Sequence, residues 1–174
     1  MTTAAIPRPR ADEYKAYYGK YIERVPGGDL IPLLVQQIAG TTALVRGLSE
    51  AKGNHRYAPD KWSVKEVIGH VIDSERIFAY RALRIARGDA TPLPGFEQDD
   101  YVPTGRFDRR TLSDLADELA AVRQATIHLF RHLDDEALQR RGTASDHTIT
   151  PRALAYIIAG HELHHVHILK TKYL

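Results

Sequence analysis

Apolar residues in this chain recur every three or four positions over four long stretches, a spacing that an α-helix turns into one continuous face. Proline and glycine separate these stretches at 26–28, 88–105, 142 and 151. No stretch shows the alternation of apolar and polar residues that is typical of a half-buried strand. Four amphipathic helices within 174 residues can bury their apolar faces against one another in one domain. The sequence therefore predicts an all-α four-helix bundle.

Capping residues mark where the helices begin. We expect helices over 29–50 and 63–87, a third from about 111, and a last one from 150 nearly to the C-terminus. The second has the capping-box pattern S-V-K-E, in which Ser63 and Glu66 bond each other's backbone. The last has Thr150 as N-cap and Pro151 at its first helical position. Short helical pieces are predicted at 11–24 and 134–141.

The segment 88–110, rich in proline, glycine and aspartate, separates the second long helix from the third. A connection of this length can cross the whole bundle, so we expect parallel second and third helices and an up-down-down-up topology. Because structureless loops this long are uncommon unless they are functional, its part 89–105 is also a candidate pocket wall. We expect an N-terminal arm with a short helix at 1–26, and a bundle domain at 27–174.

The composition excludes several kinds of function. The chain has no cysteine, so any bound metal must use imidazole, carboxylate or water as ligands. A net charge of +2, without a basic run, argues against nucleic acid as a partner. The longest apolar runs are far shorter than the ~20 residues of a membrane helix, and the N-terminus lacks the apolar core of a signal peptide. We therefore expect a soluble, cytoplasmic protein.

Three histidines face the core that the helices would enclose. His161 and His165 lie four residues apart on the apolar face of the last helix, and His70 lies on the inner face of the second. If these two helices are antiparallel, all three rings lie at the same level. They are either separately hydrogen-bonded buried histidines or the ligands of one divalent metal, zinc or nickel. We favour the metal, because each buried neutral ring otherwise needs partners for both of its nitrogens.

The same region matches H-E-x-x-H, the pattern of zinc proteases, in His161, Glu162 and His165. These proteases take a third metal ligand from further along the chain, and only the residues VHILKTKYL follow His165 here. The protease interpretation is therefore rejected. We expect four other histidines to take no part in the site: His55, His128, His132 and His147.

Two carboxylates near the histidines are weak candidates for catalytic roles. Asp73, three residues after His70, either orients that ring through a hydrogen bond or is a solvated acid. Glu162, at the edge of the inner face, either acts as a base or forms a salt bridge at the surface.

Charged residues farther from the histidines also have two interpretations. Glu97, Asp99 and Asp100 in the long segment either contact the substrate or cap turns and face water. Arg76 and Arg81 on the second helix either attract an anionic substrate or lie on a solvated helix face.

Three motifs, in the same order along most of the chain, resemble the DinB/YfiT-like family. KWSVKEVIGHVIDSERIFAYRALRIARGD resembles its second helix, LPGFEQDDYV the following loop, and GHELHHVHIL its last helix. The resemblance implies an up-down-down-up bundle with a divalent metal held by His70, His161 and His165. Glu97 stands where relatives often have aspartate, and His167 replaces a residue that is often small. Either departure could alter the pocket or the choice of metal.

Two functional hypotheses follow. The first is a metal-dependent enzyme, a transferase or hydrolase, because three histidines leave a metal position for water or a small-molecule substrate. The resemblance implies a transferase that uses a low-molecular-weight bacterial thiol, such as bacillithiol or mycothiol, and a chain that pairs as a homodimer. The second hypothesis is a non-catalytic metal-binding or stress-related bundle that associates with itself.

Overall fold

The computed structural model describes residues 5–174, and residues 1–4 of the expected arm lie outside this part. Its α-helices are α1 (Gly19–Ile22), α2 (Leu30–Arg46), α3 (Glu50–Gly53), α4 (Val64–Ala86), α5 (Gln98–Gly105), α6 (Leu112–Arg131), α7 (Asp135–Gln139) and α8 (Pro151–Ile168). A hairpin joins β1 (Gly142–Ala144) to β2 (His147–Ile149). Tighter 3-10 turns occupy Ala11–Glu13, Ala16–Tyr18 and Phe107–Arg109, and a π-helical turn, Leu169–Tyr173, follows α8.

The long helices α2, α4, α6 and α8 confirm the predicted four-helix bundle. The capping box before α4 is confirmed, since Ser63 accepts a hydrogen bond from the backbone of Glu66 and the Glu66 carboxylate accepts one from the backbone of Ser63. Thr150 caps α8, with Pro151 at the first helical position, as predicted. Across the described part of the chain, no helix is both long and apolar enough to cross a membrane.

The predicted extension of the first long helix to Glu50 is wrong. The helix α2 ends at Arg46, and Gly47 forms its C-cap. The Ser49 side chain then accepts a hydrogen bond from the backbone of Lys52 and starts the separate helix α3. The apolar spacing continues past Gly47, but a serine that caps a new helical turn separates this turn from α2.

Contacts between the long helices define their relative directions. Helices α2 and α6 are antiparallel, because a later residue of α2 contacts an earlier residue of α6, in the contacts Leu34–Arg123 and Arg46–Asp117. Helices α2 and α8 are parallel, because a later residue of α2 contacts a later residue of α8, in the contacts Gln37–Ala159 and Thr41–Glu162. Helices α4 and α8 are antiparallel, as the contact His70–His161 and the contact Trp62–Tyr173 between residues that flank the two helices show. Helices α2 and α8 therefore run one way, and α4 and α6 run the other.

The prediction of a chain without strands is wrong for 142–149. Each strand has only three residues, too few for an alternating pattern to be visible in the sequence. Ser145 and Asp146 form the turn with positive φ angles of 50° and 63°, the backbone conformation of a two-residue hairpin turn. The hairpin is also hydrogen-bonded to the long connection between α4 and α6, because the backbone nitrogen of Ser145 donates to the carbonyl of Leu93 at 3.0 Å.

A polar layer divides the core into two apolar clusters. One cluster includes Phe78 and Ile85 of α4, Ile127 and Phe130 of α6, and Leu154 and Ile157 of α8. The other includes Val67 and Ile68 of α4, Leu115 and Leu119 of α6, and Leu169 after α8. Between them, each of the long helices contributes buried polar residues, among them Thr41, His70, Glu75, Arg123, His161 and Glu162.

Arg123 is the centre of this layer. Its side chain is fully buried, and its Nε and Nη2 atoms each lie 2.8 Å from an oxygen of Glu75 on α4. Nη2 also lies 2.7 Å from Glu162 on α8, and Nη1 donates to the Leu34 carbonyl on α2 at 3.3 Å. Thr41 of α2 donates a further hydrogen bond to Glu162. One guanidinium on α6 therefore contacts all three of the other long helices.

The N-terminal arm packs against α8. Tyr21, Ile22 and Val25 are buried, and the Tyr21 backbone passes so close to Gly160 that a β-carbon there would lie 2.0 Å from its carbonyl oxygen. Such a contact is impossible for any side chain, so glycine is required at this crossing. The buried carboxylate of Glu13 accepts hydrogen bonds from Thr150 at 2.9 Å and from Nε of Arg152 at 2.6 Å, which ties the arm to the start of α8.

We predict that Arg123→Met lowers the free energy of unfolding by about 3–5 kcal/mol, because it leaves two carboxylates buried without a counter-charge. Urea denaturation measures the change. The matched control is Arg46→Met, which removes an exposed arginine paired with Asp117 and should cause a much smaller loss. Equal losses in the two variants would contradict the role assigned to the buried network.

The Glu13 carboxylate should make stability depend on pH. Burial raises the pKa of Glu13, but hydrogen bonds from Arg152, the Arg10 backbone and Thr150 outweigh it and hold the pKa below its ordinary value of 4.5. Its contribution is therefore complete above that pH and is lost as the pH falls through the lower, folded-state value. We expect Glu13→Gln to be less stable than wild type at pH 7, with a difference that shrinks in acid. A difference in the free energy of unfolding that stays constant from pH 7 to pH 3 would exclude this linkage.

Candidate metal centre

Three imidazole nitrogens meet in the polar layer. His70 lies two turns into α4, and His161 and His165 lie one turn apart on the facing side of α8. The Nε2 atom of His161 is 3.0 Å from Nε2 of His70 and 3.1 Å from Nε2 of His165. Ligand atoms of all three residues lie within 4.8 Å of one another. Among residues 5–174, these three histidines are the only group of three or more potential ligands that is compact enough to bind one metal ion.

Hydrogen bonds alone do not account for this geometry. A ring nitrogen has one in-plane direction, occupied either by a hydrogen or by a lone pair, so Nε2 of His161 can satisfy only one of its two close neighbours. A divalent ion bound at about 2.0–2.1 Å from each nitrogen would bring the nitrogens to separations of about 3 Å. The residues therefore fit a metal ion better than they fit one another.

The three rings are also in the protonation state that a metal requires. Burial lowers the pKa of His70 to about 4, with a smaller effect from His164. Burial also lowers the pKa of His161 and of His165 well below the ordinary value of 6.5, and the neighbouring histidines act in the same direction. All three are therefore neutral at pH 7, and each has a lone pair available for a ligand bond.

No carboxylate among residues 5–174 is hydrogen-bonded to the three rings. The hydrogen-bond partner of His70 Nδ1 is Oγ of Ser74, 3.5 Å away, and not Asp73. Asp73 is half-buried, and burial raises the pKa of its carboxyl. Nδ1 of His165 is buried without a partner among the described residues. Of the two interpretations of Asp73, the hydrogen bond that orients His70 is therefore not seen among residues 5–174.

Of the two roles predicted for Glu162, the structure has the salt bridge, but not at the surface. It is 1% exposed, and its carboxylate is held by Arg123 and Thr41 on the side of α8 that faces away from His70. The predicted salt bridge exists, but its predicted position at the surface is wrong. One residue, about 100° around the helix, separates the face of His161 from that of Glu162. Helical spacing in the sequence placed Glu162 at the border between the inner and the outer face of α8 and could not decide between the two.

Two cavities adjoin the histidines. One, of about 370 Å³, is lined by His70 and His161 together with Tyr17, Tyr18, Tyr21, Phe78, Phe96, Glu97 and Ser145. The other, of about 470 Å³, is lined by His165, Tyr57, Trp62, Asp99 and Tyr173. Gln98 lines both. The segment 89–105 therefore walls the cavities, as predicted, and the tyrosines of the N-terminal arm and Ser145 of the hairpin are lining residues that the sequence did not identify.

The remaining candidates lie in different surroundings. The Glu97 carboxylate caps α5 by accepting a hydrogen bond from the backbone of Asp99 at 3.3 Å, and Asp99 and Asp100 are exposed in the first turn of that helix. Arg76 pairs with Glu118 on the bundle surface. Arg81 is 2% exposed, so the expectation of a solvated helix-face arginine is wrong for this residue. The four histidines expected outside the site, His55, His128, His132 and His147, are exposed.

The family profile described as the DinB superfamily matches residues 33–169. This chain belongs to the DinB superfamily. No curated protein matches it significantly. Among solved structures, this DinB chain is similar to YfiT from Bacillus subtilis, with a TM-score of 0.69 and 18% sequence identity over 92% of this chain and 87% of the other.

The similarity to YfiT concerns the fold. At 18% identity it shows that this DinB superfamily member shares the four-helix bundle. YfiT itself is described as "a probable metal-dependent hydrolase with an unusual four-helix bundle topology". The site of the present chain is defined by its own residues.

Proposed function

We propose that this protein is a metal-dependent enzyme that holds one divalent ion, zinc or nickel, through Nε2 of His70, His161 and His165. The observation that carries the proposal is the double contact of His161 Nε2, at 3.0 and 3.1 Å, with the two other rings. A single metal ion explains both short nitrogen–nitrogen distances, whereas a hydrogen bond from His161 explains only one of them. The description of YfiT as a probable metal-dependent hydrolase supports the same reading.

The surroundings of the histidines favour a catalytic rather than a structural ion. A structural zinc site is closed by four protein ligands, whereas this cluster has three, next to a cavity of about 370 Å³. When bound, the ion would lower the pKa of a coordinated water or thiol and polarise a substrate oxygen. The protein contributes a fixed triangle of neutral imidazoles, and aromatic side chains such as Phe78 and Tyr21 that keep the cluster partly dry.

The reaction is either hydrolysis or transfer to a low-molecular-weight thiol. Hydrolysis matches the description of YfiT. Thiol transfer is favoured by the two cavities, which share Gln98 and give space for a substrate and a cosubstrate on either side of the cluster. Because the chain has no cysteine, the reacting sulfur would come from the cosubstrate.

A non-catalytic metal protein that associates with itself is the alternative function. An apolar groove between α4 and α6, lined by Tyr80, Leu83, Val122 and Leu129, supports self-association. Tyr80 and Leu83 are exposed, and burying such surface between two copies would be favourable. Homodimerisation and a cytoplasmic location are compatible with either function.

Metal content tests the ligand assignment. We expect one equivalent of zinc or nickel per chain of wild type, measured by elemental analysis, and its loss in His161→Ala because two imidazoles bind a divalent ion much more weakly than three. His164→Ala is the matched control, since His164 is an adjacent histidine of α8 outside the cluster. Circular dichroism verifies that both variants fold. A full equivalent of metal in folded His161→Ala would refute the assignment.

Turnover tests the reaction. We expect metal-loaded wild type to react with a panel of activated esters and electrophiles, and we expect activity to disappear on chelation and in folded His70→Ala. A rate that rises and saturates with added bacillithiol or mycothiol identifies a thiol transferase, and a rate that is independent of thiol identifies a hydrolase. If metal-loaded protein turns over no member of the panel with or without thiol, the enzyme proposal gives way to the non-catalytic one.

A further inference from the structure

Gln98 lines both of the cavities beside the histidines, and no other described residue lines both. His70 and His161 line the cavity of about 370 Å³, whereas His165 lines the cavity of about 470 Å³. Because ligand atoms of these three residues lie within 4.8 Å of one another, the two cavities approach the same point from different sides. Gln98 therefore lies where the spaces next to the three ligands meet.

The long connection fixes the position of Gln98 from both sides. Before it, Leu93 is buried and its backbone is hydrogen-bonded to the β1–β2 hairpin. After it, Phe107 is buried, and its ring lies so close to Gly69 of α4 that a β-carbon there would be 2.3 Å away. Gly69 directly precedes His70. Gln98, the first residue of α5, is thus held between two buried anchors, one of which packs beside a ligand.

Two carboxylates around Gln98 are engaged by the protein itself. Glu97 accepts a hydrogen bond from the backbone of Asp99 and caps α5. Asp60, in the lining of the larger cavity, lies 2.8 Å from Lys61. The Gln98 side chain, in contrast, is half-buried and has no hydrogen-bond partner among residues 5–174, and neither polar atom of its amide is fully buried. Its hydrogen-bonding groups are therefore available to a ligand.

The chemistry of a glutamine amide limits what it can do at this position. The amide has two N–H donors and one carbonyl acceptor, and it carries no charge. It is also outside the set of side chains, histidine, cysteine and carboxylate, that usually bind zinc. An N–H donor next to a reacting group stabilises an oxygen that gains negative charge in the transition state. A neutral donor beside three imidazoles therefore points to a ligand oxygen.

We infer that Gln98 is a catalytic residue, and that its amide N–H donates a hydrogen bond to the acyl oxygen of the substrate. The substrate is therefore a neutral acyl compound: an ester, a thioester or an amide. Phe96 in one cavity and Trp62 in the other give its two ends apolar surfaces on either side of Gln98. This inference rests on the proposed function, because it assigns a substrate class and a donor to the same site.

The donor acts at the step in which bonds are exchanged. The oxygen of water or the sulfur of a thiol forms a bond to the acyl carbon, and the π electrons of the C=O bond move to the acyl oxygen. The Gln98 N–H stabilises the negative charge on this oxygen. When the electron pair returns, the bond from the acyl carbon to the leaving group breaks, and the leaving group takes up the proton that the nucleophile loses. The products are the acid or the thioester, together with the protonated leaving group.

Substitution of Gln98 tests the inference in metal-loaded protein, with 4-nitrophenyl acetate as substrate and with thiol present if wild type requires it. We expect Gln98→Met, which keeps the length of the side chain but has no N–H, to lower kcat by about 10²–10³-fold with KM and metal content unchanged. Gln98→Glu should lose as much, because a carboxylate of the same shape only accepts hydrogen bonds. Gln124→Met is the matched control, because Gln124 is an exposed glutamine of α6 that lines neither cavity, and it should keep the wild-type kcat.

The outcomes separate this inference from the proposed function. If wild type is active and Gln98→Met keeps its kcat, or changes only KM, the inference is overturned and the metal-dependent enzyme stands. A Gln98→Glu variant with the wild-type kcat also overturns the inference, since the residue would then act as an acceptor.

A second measurement requires neither turnover nor a folded variant. The side-chain N–H resonances of Gln98 in zinc-treated wild type should shift with millimolar N-methylacetamide, an unreactive acyl compound, while those of Gln124 should not. Unshifted Gln98 resonances overturn the inference. If they shift but no acyl compound is turned over, the enzyme proposal fails, and of this inference only the contact between Gln98 and an acyl oxygen stands.

Discussion

A single buried charge, on Arg123, determines how the long helices face one another. Its guanidinium is fully buried and has to be neutralised inside the bundle, which requires Glu75 of α4 and Glu162 of α8 to point at α6. Directing Glu162 to Arg123 fixes the rotation of α8 about its own axis. Because neighbouring helical residues are about 100° apart, His161 then faces α4 and its His70. The geometry of the candidate metal centre therefore depends on an ion pair that forms no hydrogen bond with any of the three imidazoles.

The same constraint explains why the site lies in the middle of the core. Polar groups that are buried must find partners, and they do so most easily where other polar groups lie at the same level. Each long helix contributes to one layer between two apolar clusters, and the clusters exclude water from it on both sides. Burial in this layer lowers the pKa of His70 to about 4 and holds those of His161 and His165 well below their ordinary value. The layer thus provides neutral imidazoles, which are what a metal ion binds.

Residues whose role depends on local spacing could be predicted from the sequence, and residues whose role depends on distant partners could not. The cap at Ser63 and the inward direction of His70, His161 and His165 follow from helical spacing alone. The position of Glu162 depended on Arg123, which lies 39 positions earlier in the chain and gave no local signal. Arg81 was ambiguous for the same reason, since its burial depends on Pro94 and on the short hairpin at Ser145.

Charge balance limits what the candidate metal centre can bind. Glu162 and Glu75 are both engaged by Arg123, so neither is free to offset positive charge near the histidines. A divalent ion on three neutral imidazoles would bring its full charge into the layer. Such a positive centre without carboxylate ligands would favour an anion at its open position, whether a hydroxide, a thiolate or a carboxylate. A neutral or cationic molecule would leave the charge of the ion uncompensated, so the charge of a ligand would matter before its shape.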